Sequence, residues 1–166
     1  MSNTVELQTN HGVIRIEVDP VKAPLSSANF LDYAAKGQYD GTVFHRVIRD
    51  FMVQGGGFEA GMKQKSVGSP IRNEANNGIK NAHYTVAMAR TSDPHSATAQ
   101  FFINTTDNTF LDHKAETSSG WGYAVFGKVV GGQDVVDAIG GVRTGRKGGH
   151  DDVPLEDVVI SKAVVV

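Results

Sequence analysis

The chain has 166 residues, of which 40% are apolar and 20% charged, a composition typical of a folded globular protein with a sizeable core. Sixteen basic and eighteen acidic residues give a net charge of −2, which argues against a protein that binds nucleic acid through a basic surface. The sequence has no cysteine, which excludes disulfides, thiolate catalysis and cysteine-ligated zinc.

We expect neither a secretory signal nor a membrane span. The N-terminal segment lacks a basic stretch followed by an apolar run, and no window approaches the length of a membrane span. We therefore expect a cytoplasmic protein that binds neither membranes nor nucleic acid. We also expect residues 1–166 to form one domain and the protein to be a monomer, because no apolar stripe is left over for a partner.

The first part of the chain predicts a hairpin followed by a helix. Residues 5–9 and 13–18 alternate apolar and polar side chains around a glycine-containing turn, as paired strands do. Within residues 20–37 apolar side chains recur near the helical period, with Ser26 and Ser27 as candidate caps.

A second hairpin follows the helix. Residues 43–48 alternate as a half-buried strand, residues 49–50 suit a two-residue turn, and residues 51–54 run back as a second strand. The glycines at 55–57 end it.

Strict alternation makes two specific predictions for this hairpin. It places Arg46 on the same face as Phe44 and Ile48. Burying an unpaired charge among apolar groups costs free energy, so an arginine there is more consistent with a functional role than with simple packing. The open alternative is an edge strand on which the arginine extends to solvent. Alternation also places Phe51 and Met52 on opposite faces.

The rest of the chain predicts four more strands, a second helix and long loops. The strands are residues 84–90, 100–104, 123–130 and 158–166. The helix is 133–139, and the loops are 55–78, 105–122 and 143–154. Eight strands and two helices in a small chain favour an all-β fold, a closed eight-stranded antiparallel β-barrel capped by two α-helices, because closure removes exposed strand edges.

Several kinds of chemistry are disfavoured. The six histidines lack metal-ligand spacing, so we expect no metal, and His45 is expected to pack rather than to act as a ligand or base. The glycine pattern in residues 55–60 is not followed by the helix that a dinucleotide site needs, so we expect no cofactor. What remains is a group of polar and apolar side chains suited to an apolar group beside a peptide bond: Arg46, Met52, Gln54 and Gln100.

Three blocks of sequence carry a resemblance to a known family. Residues 44–56 read FHRVIRDFMVQGG, and the blocks within 88–103 and 110–129 include MAR, SATAQFFI, FLD and VFGKV. These blocks resemble the cyclophilins, the peptidyl-prolyl cis-trans isomerases, in family order over nearly the whole chain. The long loop at 112–122 is similar to the bacterial-type branch.

The resemblance implies an enzyme that accelerates rotation of X-Pro bonds and assists folding, acting on proline-containing peptides and on unfolded or folded client proteins. It places the site on the outside of the barrel, with Arg46 as the catalytic residue. The substrate-binding residues it implies are Phe51, Met52, Gln54, Ala89, Arg90, Gln100, Phe102, Phe110, Leu111 and Tyr123. The alternative is a non-catalytic proline-peptide binding module, or a chaperone, on the same scaffold.

Three positions depart from the family pattern. Cyclosporin-sensitive members carry tryptophan where this chain has Phe110, so the indole N–H donor is missing and we expect weak cyclosporin binding. Tyr123 stands where many members have histidine, and Arg90 where many have asparagine. These two changes leave the sequence preference around proline open.

Overall fold

A computed structural model of the protein describes residues 3–166. Within them the strands are β1 Thr4–Thr9, β2 Gly12–Val18, β3 Thr42–Val43, β4 Arg46–Ile48, β5 Met52–Gly55, β6 Phe58–Glu59, β7 Lys63–Gln64, β8 Thr85–Met88, β9 Phe101–Asn104, β10 Val125–Gly131, β11 Thr144–Lys147, β12 His150–Pro154 and β13 Val159–Val165. The helices are α1 Pro24–Ala35 and α2 Gln133–Gly140, with short 3-10 helices at Ala75–Asn77 and Thr109–Leu111. No helix among residues 3–166 is both long and apolar enough to cross a membrane.

The main sheet curls into a barrel. Its strands follow the order β4-β5-β9-β8-β10-β2-β1-β13-β3-β6-β7, and every neighbouring pair is antiparallel. Because β3 and β4 are consecutive parts of residues 42–48, that segment joins the two sides of the sheet. Counted as one interrupted strand, it completes the predicted ring of eight, so the prediction of a mainly β fold with two helices is confirmed.

The interruption between β3 and β4 changes which side chains share a face. Phe44 is fully buried in the barrel core, and so is Val47, three residues later. Arg46 is exposed, and Ile48 packs on a separate apolar cluster outside the barrel. The prediction that Phe44 lies on the face of Arg46 is therefore wrong, because the backbone at 44–45 leaves the regular pleat and shifts the alternation.

The turn after β4 is also longer than predicted. Ile48 pairs with Met52, so three residues, 49–51, form the loop instead of two. The Phe51 N–H donates to the Ile48 carbonyl at 3.1 Å, and Asp50 adopts a φ of 57°. Because Phe51 belongs to the loop, it is released from the strand alternation that would have placed it opposite Met52.

Helix α1 begins at Pro24, and its first turn is capped from a distant loop. The backbone N–H groups of Leu25 and Ser26 donate to the Glu74 carboxylate at 3.1 and 2.7 Å. Ser26 and Ser27 are buried inside the helix and make no cap, so that expectation is wrong. A carboxylate at this end satisfies otherwise unpaired N–H groups and complements the helix dipole.

The predicted loop at 143–154 is a hairpin. Strands β11 and β12 pair across a turn in which Gly148 and Gly149 take φ values of 55° and 80°. The hairpin packs beside β4 on the outside of the barrel. Its strands were missed because residues 144–152 are almost entirely polar or glycine, so no apolar alternation marks them.

Candidate active site

A shallow pocket of about 110 Å³ lies on the outer face of the barrel, where β4, β5 and β9 run side by side. It is lined by Arg46, Phe51, Met52, Gln54, Ala89, Arg90, Phe102, Leu111 and Tyr123. All nine are predicted site residues, although they come from separate parts of the chain. The structure thus brings most of the predicted set around one pocket.

Strand register explains how the polar side of the pocket is built. Arg46 pairs with Gln54, and Gln54 pairs with Phe102, so the three residues form one row across β4, β5 and β9. Because neighbouring side chains in such a row lie on the same face, a guanidinium, an amide and an aromatic ring are held together. Val53, which lies between the outward Met52 and Gln54, belongs to the barrel core.

The apolar side of the pocket is a small cluster distinct from the barrel core. Met52, Phe102 and Leu111 are almost fully buried in it, and Phe51 and Tyr123 pack against its edge. The Phe102 and Tyr123 rings meet edge to face with centroids 5.6 Å apart. Such a cluster forms a rigid wall for an apolar group of about the size of a proline ring.

Gln100 and Phe110 lie beside the pocket without lining it. Gln100 accepts a hydrogen bond at 2.9 Å from the side-chain amide of Gln54. The exposed Phe110 ring stacks on Phe51 with centroids 5.6 Å apart. Both predicted residues therefore contact pocket residues, Gln100 on the polar side and Phe110 on the apolar side.

The pocket-lining residues include no histidine, carboxylate, serine or threonine. In the described residues 3–166 there is also no cluster of three or more potential metal-ligating side chains. The arrangement suits noncovalent binding of a peptide. The cation can donate hydrogen bonds, the amides can hold a peptide backbone, and the apolar wall can contact an apolar side chain.

A buried asparagine network behind the pocket was missed by sequence reasoning. The Asn108 side-chain amide donates to the Phe51 carbonyl and to Asn104, both at 2.8 Å. Asn104 donates to the Asn81 side chain at 3.1 Å, and Asn81 donates to the Tyr123 carbonyl at 3.3 Å. The network therefore links the backbone of Phe51 to that of Tyr123, on separate segments around the pocket. Each asparagine looks like an ordinary loop or strand-end residue in the sequence, so no local signal reveals it.

His45 precedes the pocket arginine and points to a different environment. Its ring is buried against Phe58, with centroids 4.5 Å apart, and its Nδ1 has no hydrogen-bond partner. Burial, and then the nearby His150 and Arg46, lower the pKa of His45 to about 4. The neutral ring is thus part of the packing, as predicted, and does not serve as a base at the pocket.

This depressed pKa predicts acid sensitivity. Between pH 6.5 and about 4 the unfolded chain binds a proton at His45 that the folded protein excludes. The contribution of His45 to the free energy of unfolding is therefore fully present above about pH 6.5 and decreases as the pH drops. The loss amounts to about 3 kcal/mol at pH 4. In denaturant unfolding measured across this range, His45→Leu should flatten the pH dependence, and His11→Leu, at an exposed histidine, is the matched control. An identical pH dependence in His45→Leu and the unsubstituted protein would contradict the assignment.

Comparisons with known proteins fit this geometry. Residues 4–165 match the family described as cyclophilin type peptidyl-prolyl cis-trans isomerase/CLD. The chain is 61% identical to peptidyl-prolyl cis-trans isomerase cyp18 of Streptomyces antibioticus, over 99% of each chain. It is 60% identical to peptidyl-prolyl cis-trans isomerase B of Escherichia coli, over 97% of this chain and 98% of the other.

A solved structure agrees in fold as well. The cyclophilin type isomerase of Cryptosporidium parvum, crystallised in the presence of the dipeptide Ala-Pro, superposes with a TM-score of 0.81 at 25% identity. The match covers 98% of each chain.

Proposed function

The chain belongs to the cyclophilin-type peptidyl-prolyl cis-trans isomerases, and we propose that it accelerates X-Pro rotation at the pocket around Arg46. The single observation that best supports an active site at this pocket is the row formed by Arg46, Gln54 and Phe102 beside an apolar wall. A proline ring fits the wall while the preceding peptide bond lies against the row. The Ala-Pro dipeptide used with the Cryptosporidium relative supports a proline-containing peptide as the ligand.

The reaction explains why no nucleophile is needed. Amide resonance holds the X-Pro bond behind a barrier of about 18–20 kcal/mol, and no covalent bond breaks during rotation. The proline nitrogen has a free lone pair only in the twisted state. A hydrogen bond from Arg46 to that nitrogen therefore stabilises the transition state selectively. Lowering the barrier by about 7 kcal/mol would accelerate exchange by about 10⁵-fold.

The other pocket residues hold the substrate while the bond rotates. Met52, Phe102 and Leu111 clamp the ring, because they are buried and packed against one another. Gln54 is held by its hydrogen bond to Gln100, so the pair presents fixed amide groups to the peptide backbone. Fixing the ring and the backbone on one side of the bond confines motion to the rotation itself.

The competing function is a proline-peptide binder, or a chaperone, without catalysis. The exposed Arg46 next to the pocket favours the enzyme, since binding an apolar ring alone needs no cation there. A protease-coupled assay on a proline tetrapeptide separates the two, because binding alone does not accelerate exchange. Acceleration proportional to protein concentration supports the proposal, and tight binding without acceleration contradicts it.

We predict weak binding of cyclosporin. Phe110 is exposed at the rim and has no N–H donor, so it cannot make the hydrogen bond that an indole offers. Phe110→Trp should tighten cyclosporin inhibition by about tenfold, the ratio expected for one restored hydrogen bond. An inhibition titration with Val67→Trp, at another partly exposed apolar position, serves as the control. Nanomolar inhibition of the unsubstituted protein would contradict the prediction.

Client proteins, a monomeric state and a cytoplasmic location remain predictions of this proposal. The apolar side chains exposed among residues 3–166 include Val21 and Leu155 in connections, Leu25 in α1 and Phe110 in the second 3-10 helix. Such scattered exposure is consistent with a monomer. Sedimentation at several concentrations measures the state directly, and an increase in mass with concentration would contradict it.

A further inference from the structure

Arg90 is fixed in place at the edge of the pocket. Its guanidinium carbon lies 4.6 Å from the centroid of the Tyr123 ring. Its Nε donates to the Gly122 carbonyl at 3.0 Å, and Nη1 donates to the Thr91 carbonyl at 2.8 Å. A guanidinium has five N–H donors, so the other three remain for a ligand. Arg90 is therefore a preoriented cation and not a mobile surface side chain.

The surroundings of Arg90 leave its charge uncompensated. Neither Arg90 nor Arg46 forms an ion pair with any acid in residues 3–166. The acid nearest in sequence, Asp93, accepts the backbone N–H of His95 instead. Two cations thus flank one pocket in a chain whose net charge is −2. Such a local excess attracts anionic groups at short range.

A second cleft of about 230 Å³ adjoins the pocket on the side of Arg90. Gln54, Ala89 and Arg90 line both, so the two spaces share a wall. The other residues lining the cleft are Gln64, Thr91, Ser96, Thr98 and Gln100. The Thr98 hydroxyl and the side-chain amides of Gln64 and Gln100 in this cleft can donate to a carboxylate, whereas the Thr91 hydroxyl already donates to Ser96 and the Ser96 hydroxyl to the Asp93 carbonyl. The cleft offers little apolar surface to an aliphatic side chain.

We propose that Arg90 is a specificity residue that favours substrates with an acidic side chain within two residues of the proline. This inference rests on the function proposed above, with the proline ring in the pocket. Residues of an extended peptide are about 3.3 Å apart, so a side chain one or two residues from the proline reaches the adjoining cleft. There its carboxylate accepts charge-assisted hydrogen bonds from Arg90. A lysine at the same position is disfavoured by Arg90 and Arg46.

The test compares blocked peptides that differ only by glutamate or glutamine at one of the two positions on either side of proline. Exchange rates are measured by two-dimensional NMR exchange spectroscopy, which needs no coupling protease. We expect kcat/KM to favour glutamate by about fivefold at one position at least. That ratio should approach one in about 1 M salt, where the Debye length falls to about 3 Å.

Substitutions test whether Arg90 causes the preference for glutamate over glutamine. Arg90→Gln should remove the glutamate preference, and Arg90→Lys should keep part of it. Lys128→Gln removes the same charge on β10, outside the pocket and cleft, and should leave the ratio intact. A ratio near one at every position in the unsubstituted protein overturns the inference, and so does a ratio that survives Arg90→Gln. Acceleration of the glutamine peptides tests the proposed function separately, so the two can fail independently.

Discussion

We expect Arg46→Ala to lower kcat/KM on a proline peptide by about two to three orders of magnitude, the effect of removing one donor to a transition state. The side chain is exposed and makes no ion pair with residues 3–166, so its removal should not disturb the barrel. The thermal unfolding midpoint should therefore stay near that of the unsubstituted protein. Initial rates from the protease-coupled assay, measured alongside a melting curve, give both quantities.

Arg49→Ala is the matched control for this experiment. Arg49 lies in the loop that follows β4, is exposed, and donates to the Gly141 carbonyl at 3.2 Å, away from the pocket. It should keep nearly the full turnover. Unchanged turnover in Arg46→Ala, or an equal loss in both variants, would contradict the role given to Arg46.

Asn108→Ala should reduce both stability and activity. The substitution removes the two side-chain donors that reach the Phe51 carbonyl and Asn104, in a site that is almost fully buried. Unpaired buried acceptors cost about 1–3 kcal/mol each. Because the Thr105 N–H also donates to the Phe51 carbonyl at 3.0 Å, only the Asn104 side-chain oxygen is left unpaired; adding about 0.5–1.5 kcal/mol for the second lost hydrogen bond, we expect a total loss of about 2–4 kcal/mol. Phe51 is then held less firmly, and kcat/KM should fall by about tenfold.

Denaturant unfolding and the isomerisation assay measure the two effects together. Asn76→Ala is the control, because Asn76 is an exposed asparagine in the first 3-10 helix. It should leave stability and rate nearly unchanged. If Asn108→Ala lost stability but kept full kcat/KM at a temperature where it is folded, the asparagine network would stabilise the fold without positioning Phe51 for activity. That result would contradict the prediction.

Much of the site follows from alternation along the strands. The alternation of outward Met52 and Gln54 with inward Val53 along β5 is visible in the sequence. An arginine on a strand face is visible as well. The resemblance to cyclophilins then supplies the residues on distant segments, which spacing alone could not bring together. Of these, Leu111 and Tyr123 reach the pocket through the fold and not through any local pattern.

The sequence-based predictions of side-chain direction are wrong where the backbone departs from the regular pleat of a strand. The break at Phe44 and the three-residue loop ending at Phe51 each shift the alternation, and neither has a distinctive sequence signal. Two further features depend on partners far apart in the chain. Glu74 caps α1 from 49 and 48 residues away, and Asn81, Asn104 and Asn108 meet only after the barrel closes. Local patterns cannot report such contacts.

The most direct test of the central claim is an NMR titration of the isotopically labelled protein with a proline peptide. Without catalysis the cis and trans forms exchange in tens to hundreds of seconds, too slowly for exchange cross-peaks. We predict that cross-peaks appear when the protein is added and that its amide shifts change around Arg46, Gln54, Phe102 and Leu111. Acceleration accompanied by shift changes elsewhere, with these residues unmoved, would contradict the placement of the active site.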